Sequence, residues 1–179
     1  MNIISNENFA AEITKDRIDA RVKEIAKQLS NDFINEYPVV IGVLNGSFIF
    51  LADLVRSFDF DCEIDFIKAK SYAGRESLGK VKLDKDVSAD LKNRKVILVE
   101  DIIDSGLTIE FLYEHILSFM PIDVTIVTLL SKKNNYKLNF DIDIIGFEIG
   151  SEFVVGYGLD FDQKYRNLNS LYGLKKGIS

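Results

Sequence analysis

Histidine and cysteine, which supply most metal cages and many nucleophilic triads, are almost missing from this chain. The single cysteine, Cys62, cannot form an internal disulfide and leaves no Cys-rich zinc site. The single histidine, His115, excludes His-cluster metal chemistry and most His-based triads. A basic excess is missing too: 22 Lys and Arg stand against 28 Asp and Glu, a net charge of −6. Sequence-independent binding to nucleic acid or to an anionic membrane needs a basic face, so neither is expected. The longest uncharged run, Pro38 to Ala52, is broken by Gly42, Asn45 and Gly46 and is too short to span a bilayer. The N-terminal MNIISNENFAAE has no basic segment followed by an apolar core and does not read as a secretory signal. What remains is ordinary globular usage, 47% hydrophobic and 28% charged over 179 residues. That composition predicts a cytoplasmic protein with one domain over residues 1–179, able to bury roughly 70% of its unfolded surface.

Periodicity predicts the elements. Ile18, Val22, Ile25, Ala26, Leu29 and Phe33 recur at spacings of three and four, one helical stripe over Asp16 to Phe33. PVVIGVL from Pro38 is a continuous β-branched run of the kind a doubly covered parallel strand shows. Asn45-Gly46-Ser47 turns the chain into a helix over Phe48 to Phe58, and Cys62 to Lys70 alternates as a strand. Residues 71 to 90 hold Gly74, Gly79 and many charges, and read as a long mobile loop with a short strand or two. Lys95 to Glu100 is a second buried strand, Leu107 to Phe119 a helix, Val124 to Leu130 a third strand, then Asp143 to Ile149 and Phe153 to Val155. Strands alternating with helices predict an α/β fold with a mostly parallel sheet flanked by helices. Ligands in such sheets sit beyond the carboxyl ends of strands, which singles out Leu44 to Ser47 and Glu100 to Thr108.

Val96 to Thr108 reads VILVEDIIDSGLT. An apolar strand delivers adjacent carboxylates, Glu100 and Asp101, and then Asp104 before Ser105-Gly106-Leu107-Thr108 opens a helix. Adjacent acids are unfavourable unless something polar meets them, which suits a polyhydroxyl or metal-bound ligand. The Ser-Gly-x-Thr turn sets backbone amides and two hydroxyls at a helix N-terminus, a ready anion site. Acids for hydroxyls beside amides for phosphate suggest a ribose phosphate. The competing reading makes Asp104 and Ser105 helix caps only.

VILVEDIIDSGLT resembles the phosphoribosyl-pyrophosphate (PRPP) signature of the type I phosphoribosyltransferases. The stretches VGVLNGSFIF, KSYAG, LLSKK and GFEIGSEFVVGYGLDFDQKYRNL resemble the hypoxanthine-guanine members in particular. The resemblance, over about Pro38 to Leu171, implies a central sheet, a small hood formed from the chain ends and a mobile lid near residues 71–90. It implies Mg²⁺-dependent transfer of phosphoribosyl from PRPP to hypoxanthine or guanine, giving IMP or GMP and pyrophosphate, by a homo-oligomer (dimer or tetramer). Glu100 and Asp101 would meet the ribose hydroxyls directly or through Mg²⁺, and Asp104 would be the general acid/base facing purine N7. Ser105, Gly106, Leu107 and Thr108 would bind the 5′-phosphate. Lys132 would donate to O6, Phe153 would stack on the ring, and Val154 and Leu159 would complete the purine site. Asp160 would help hold Mg²⁺, Arg166 and the Asn45-Gly46 turn would bind pyrophosphate, and Ser71 and Tyr72 would close over the centre. Two positions depart from the pattern. Asn45 stands where many relatives carry Lys or Arg, and Leu107 where some carry a polar or basic residue.

Other features fall short of a motif. Gly74 to Val81 resembles a P-loop, but Val81 follows the lysine, so no hydroxyl is available for Mg²⁺. Gly156-Tyr157-Gly158 begins a dinucleotide fingerprint that Phe161 ends, and Tyr157 and Phe161 read as packing residues. Phe111, Leu112 and Phe119 read as core, His115 as structural or exposed. The alternatives to a hypoxanthine-guanine enzyme are a xanthine/guanine-preferring relative and an RNA-binding regulator on the same fold, which the negative charge disfavours.

Overall fold

The computed structural model describes residues 9–71 and 81–174. Among these residues nine strands and three α-helices follow in the order β1 (Phe9–Ile13), α1 (Lys15–Phe33), β2 (Val39–Val43), α2 (Phe48–Val55), β3 (Glu63–Ser71), β4 (Val81–Lys85), β5 (Lys95–Ile103), α3 (Leu107–Leu117), β6 (Asp123–Ser131), β7 (Ile144–Glu148), β8 (Val154–Val155) and β9 (Leu171–Leu174). Six strands form one sheet in the order β4-β3-β2-β5-β6-β7, parallel except where β4 runs back along β3. Three more, β1-β9-β8, form a separate antiparallel hood that joins the two ends of the described chain, with Phe9 opposite Leu174.

The continuous apolar runs are explained by burial on both sheet faces. In β5, Ile97 and Val99 enter the cluster under α1 and α2, while Val96 and Leu98 enter the one under α3. All six residues of the α1 stripe are buried, and each large apolar side chain so placed contributes roughly 1.5–3 kcal/mol. Arg21 on the same helix donates to the Gly146 and Ile145 carbonyls at 3.0 and 2.8 Å, fastening α1 to β7.

Several boundaries differ from the sequence reading. β5 does not stop at Glu100, because Ile102 and Ile103 go on pairing with Leu130 and Ser131 of β6. α2 ends at Val55 in a turn in which the Ser57 amide donates to the Leu54 carbonyl at 3.0 Å. The hood strands β1 and β9 were not foreseen as strands. Tyr72 and the rest of residues 72–80, a little under half of the expected lid, fall outside the described residues. Its two arms do not: β3 and β4 form an antiparallel ribbon, with Ser71 opposite Val81. No helix among the described residues is long and apolar enough to cross a membrane.

Candidate active site

Two clefts open at the carboxyl end of the large sheet, and they share Ile102 and Asp104. The first, about 430 Å³, is lined by Glu100, Ile102, Ile103, Asp104, Ser105, Gly106, Thr108 and Ile109. Its floor is the end of β5 and its wall the start of α3, whose leading amides have no intrahelical acceptor. The turn requires glycine at 106: φ is +79°, and a Cβ there would come within 2.9 Å of the Tyr136 side chain. Gly106, not Asp104 or Ser105, is the N-cap residue, and no side-chain cap bond forms. The reading of Asp104 as a helix cap is therefore wrong.

Asp104 is held from the other side instead. Lys132, at the end of β6, donates to its Oδ2 at 2.8 Å, and Asn135, in the short 3₁₀ turn Lys133–Asn135, donates to Oδ1 at 2.8 Å. Burial raises the Asp104 pKa, but the hydrogen bonds from Lys132 and Asn135 and the lysine charge outweigh it and hold the group below its ordinary value. Lys132 is buried, its side chain only 9% exposed against 53% for Asp104. Asn135 gave no signal in the sequence beyond following Lys132 by three residues in a polar run.

Glu100 and Asp101 sit where β5 turns their carboxylates away from water. Burial pushes both pKa values up, and for Glu100 the neighbouring charge of Asp101 adds to it. Glu100 Oε2 is buried with no hydrogen-bond partner among the described residues. A buried acceptor left unpaired costs about 1–3 kcal/mol, and such groups gather at sites awaiting a ligand.

The second cleft, about 200 Å³, is lined by Asp101, Ile102, Asp104, Lys132, Phe153, Val154, Leu159 and Asp160. Phe153 is 44% exposed at its mouth and meets Phe161 edge-on at 5.8 Å. Phe161 is 55% exposed, so it is not the packing residue expected. The Leu44–Ser47 turn comes against Asp101. A Cβ on Gly46 would fall 1.4 Å from the Asp101 carboxylate, so the turn's backbone lies directly against that acid. The Leu44–Asn45 peptide is cis, and Asn45 is exposed. Arg166 pairs with Asp160 at 2.6 Å and donates to the Gly158 carbonyl at 2.7 Å. Asp160 shares the second cleft with Asp101, but among the described residues no three acids gather as a metal cage. Leu107 is exposed on the first turn of α3. Ser71 ends β3, with its backbone described and its side chain not.

A family model described as phosphoribosyl transferase domain matches residues 10–162. The chain belongs to the phosphoribosyltransferase family. It is 39% identical to the hypoxanthine-guanine phosphoribosyltransferase of Aquifex aeolicus, over 96% of this chain and 98% of that one. Among solved structures it is similar to a hypoxanthine-guanine phosphoribosyltransferase from Bacillus anthracis (TM-score 0.89, 44% identity, 94% of this chain and 100% of that one). A hypoxanthine phosphoribosyltransferase from Staphylococcus aureus superposes with a TM-score of 0.91 at 37% identity, over 98% of this chain and 96% of that one. In this phosphoribosyltransferase the acid pair, Asp104, the turn of α3, Lys132 and the Phe153–Asp160 segment all converge on one rim.

Proposed function

We propose that this phosphoribosyltransferase serves purine salvage, transferring phosphoribosyl from PRPP to hypoxanthine or guanine and releasing pyrophosphate with IMP or GMP. The observation that carries the reading is the meeting of two chemically different clefts at Asp104. One is lined by carboxylates and helix-start amides, which suits a ribose phosphate. The other offers an aromatic face and a buried ammonium, which suits an oxo-substituted base.

In the reaction the C1′–oxygen bond to pyrophosphate breaks, the N9–C1′ bond forms, and the N7 proton of the base leaves. Ser105, Gly106, Leu107 and Thr108 hold the 5′-phosphate through amides and hydroxyls, and Glu100 and Asp101 take the ribose hydroxyls. Lys132 turns from Asp104 Oδ2 to the 6-oxo group, which leaves Oδ2 to accept the N7 proton while Asn135 keeps Oδ1. Leu159 and the Val154 backbone border the base, and Phe153 stacks on it. Arg166 and the Asn45-Gly46 turn receive the pyrophosphate. A closed site keeps water from the cationic sugar, the role given to Ser71 and Tyr72.

The Glu100 oxygen without a partner among the described residues, and the adjacent acid pair whose charge burial disfavours, fit a divalent cation. Glu100 and Asp101 would meet Mg²⁺ at the ribose hydroxyls and Asp160 would help hold Mg²⁺ on the pyrophosphate, each with substrate oxygens and water completing the shell, in keeping with its habit of using few protein carboxylates. Bound there, Mg²⁺ would neutralise the leaving group's charge.

The test is turnover with PRPP, Mg²⁺ and each of hypoxanthine, guanine, xanthine and adenine. Lysine has no acceptor for adenine's amino group, so adenine is expected to be slower than hypoxanthine by roughly 10⁴. Comparable rates on the two bases would refute the role of Lys132.

A further inference from the structure

Tyr157 lies outside the chemistry described above and packs in the core as the sequence suggests, yet its hydroxyl does more than pack. It is 4% exposed, and its hydroxyl donates to Asp53 Oδ2 at 2.6 Å, across 104 residues of chain. Asp53 lies on α2, the helix that begins immediately after the Leu44–Ser47 turn. Phe50, Leu51 and Leu54 bury α2 in the core, and the Leu51 amide donates to the Ser47 carbonyl at 2.8 Å, so helix and turn form one unit. Arg56 and the Ser57 hydroxyl brace Asp53 from behind.

Tyr157 sits in the loop that carries Leu159, Asp160 and, eight residues past Gly158, Arg166. The backbone there is left-handed at three successive residues, Gly156, Tyr157 and Gly158, with φ of +103°, +47° and +102°. A tyrosine in that region is uncommon and costs conformational energy, so something must hold it. Toward the clefts, loop and turn meet backbone to backbone: a Cβ on Gly158 would fall 2.0 Å from the Gly46 carbonyl oxygen. Gly158 in turn exchanges hydrogen bonds with Arg166, its amide to the Arg166 carbonyl at 2.9 Å and its carbonyl from Nη1 at 2.7 Å. Two apposed glycines offer no side chain to fix their spacing. The Tyr157–Asp53 bond supplies one on the far side, where a cleft of about 480 Å³ lined by Lys15, Val22, Ile49, Leu168 and this pair leaves room for the loop to shift.

We infer that Tyr157 is a positioning residue whose hydroxyl, anchored on Asp53, sets the gap between the Asn45-Gly46 turn and the Asp160–Arg166 loop, and with it the seat for the pyrophosphate group. The inference rests on the proposed phosphoribosyl transfer. Burial pushes the Tyr157 pKa up, and Asp53 adds to it, so the hydroxyl keeps its proton at every working pH.

The test compares Tyr157→Phe, Asp53→Ala, Asp53→Asn and the double variant Tyr157→Phe/Asp53→Ala, with KM for PRPP and for hypoxanthine measured separately. A hydrogen bond of this kind is worth about a tenfold change in an equilibrium. Tyr157→Phe and Asp53→Ala should each raise KM for PRPP about tenfold, with KM for hypoxanthine and kcat within about twofold. Asp53→Asn keeps an accepting oxygen and should restore most of the PRPP affinity, and the double variant should be no worse than either single one. Calorimetric titration with magnesium pyrophosphate alone should show the same order of affinities, whichever base the wild type uses. Equal rises in both KM values, unchanged PRPP affinity with only a lower melting temperature, or additive single effects would each overturn the proposal. Wild-type protein inactive on purines yet showing the ordered pyrophosphate affinities would overturn the purine reading and leave this one standing.

Discussion

Replacing Asp104 by Asn separates proton transfer from structure, because the local geometry states what the substitution disturbs. The carboxylate accepts from two donors, Lys132 at Oδ2 and Asn135 at Oδ1, each at 2.8 Å. An amide has one accepting oxygen, so its NH2 must face one of those donors, and one bond is lost. The helix start is untouched, since Gly106 is the N-cap and no side-chain cap exists there. A charge-assisted bond is worth roughly 1.5–3 kcal/mol when fully made, but the Asp104 side chain is 53% exposed. Solvent screening reduces the loss to about 1 kcal/mol or less. For a chain of this size that is a fall of about 2–4 °C in melting temperature. Turnover should fall far more, by about 10²-fold or beyond, because the amide cannot accept the N7 proton. The assay is spectrophotometric turnover on hypoxanthine at saturating PRPP and Mg²⁺, paired with a melting curve. Near-normal turnover, or activity lost through a melting temperature lowered by about 10 °C or more, would refute the assignment of Asp104 as the base.

Three further outcomes follow from the same geometry. Glu100→Gln should raise the melting temperature of the ligand-free protein near neutral pH while weakening PRPP binding. The folded pKa of Glu100 lies above its unfolded value, so its contribution is present at low pH and lost as pH rises through the folded pKa. A lower melting temperature at neutral pH would contradict that. Asn135→Ala should cut kcat by about two- to tenfold with little change in stability, since one exposed hydrogen bond is removed. Because that bond lowers the Asp104 pKa, its loss should move the acid limb of the kcat/KM profile to higher pH; an unmoved limb would count against it. Arg166→Ala should raise KM for PRPP and leave Asp160 without its 2.6 Å partner, which inhibition by pyrophosphate would also report; unchanged values would remove Arg166 from the leaving-group seat.

Much of the architecture was legible because its signals are local. The β-branched runs of β2 and β5 and the α1 stripe declare buried positions by spacing alone, and the acids, turn and helix of Glu100 to Thr108 lie within nine residues. What escaped depends on partners distant in sequence. β1 and β9 are five- and four-residue strands that exist because Phe9 meets Leu174 across the length of the chain. β5 runs past Glu100 because β6 keeps pairing with it, although the onset of charge suggests an end. Asp104 reads locally as a cap and is in fact engaged by residues 28 and 31 positions later. Tyr157 is core, as it reads, but its partner Asp53 lies 104 residues away and leaves no local signal.

The most direct test of phosphoribosyl transfer is to count both products of one reaction. Purified protein given hypoxanthine, PRPP and Mg²⁺ should form IMP and pyrophosphate in equal amounts, with no IMP when the metal is chelated in excess. Pyrophosphate release without IMP, or IMP formation undiminished by chelator, would contradict the account.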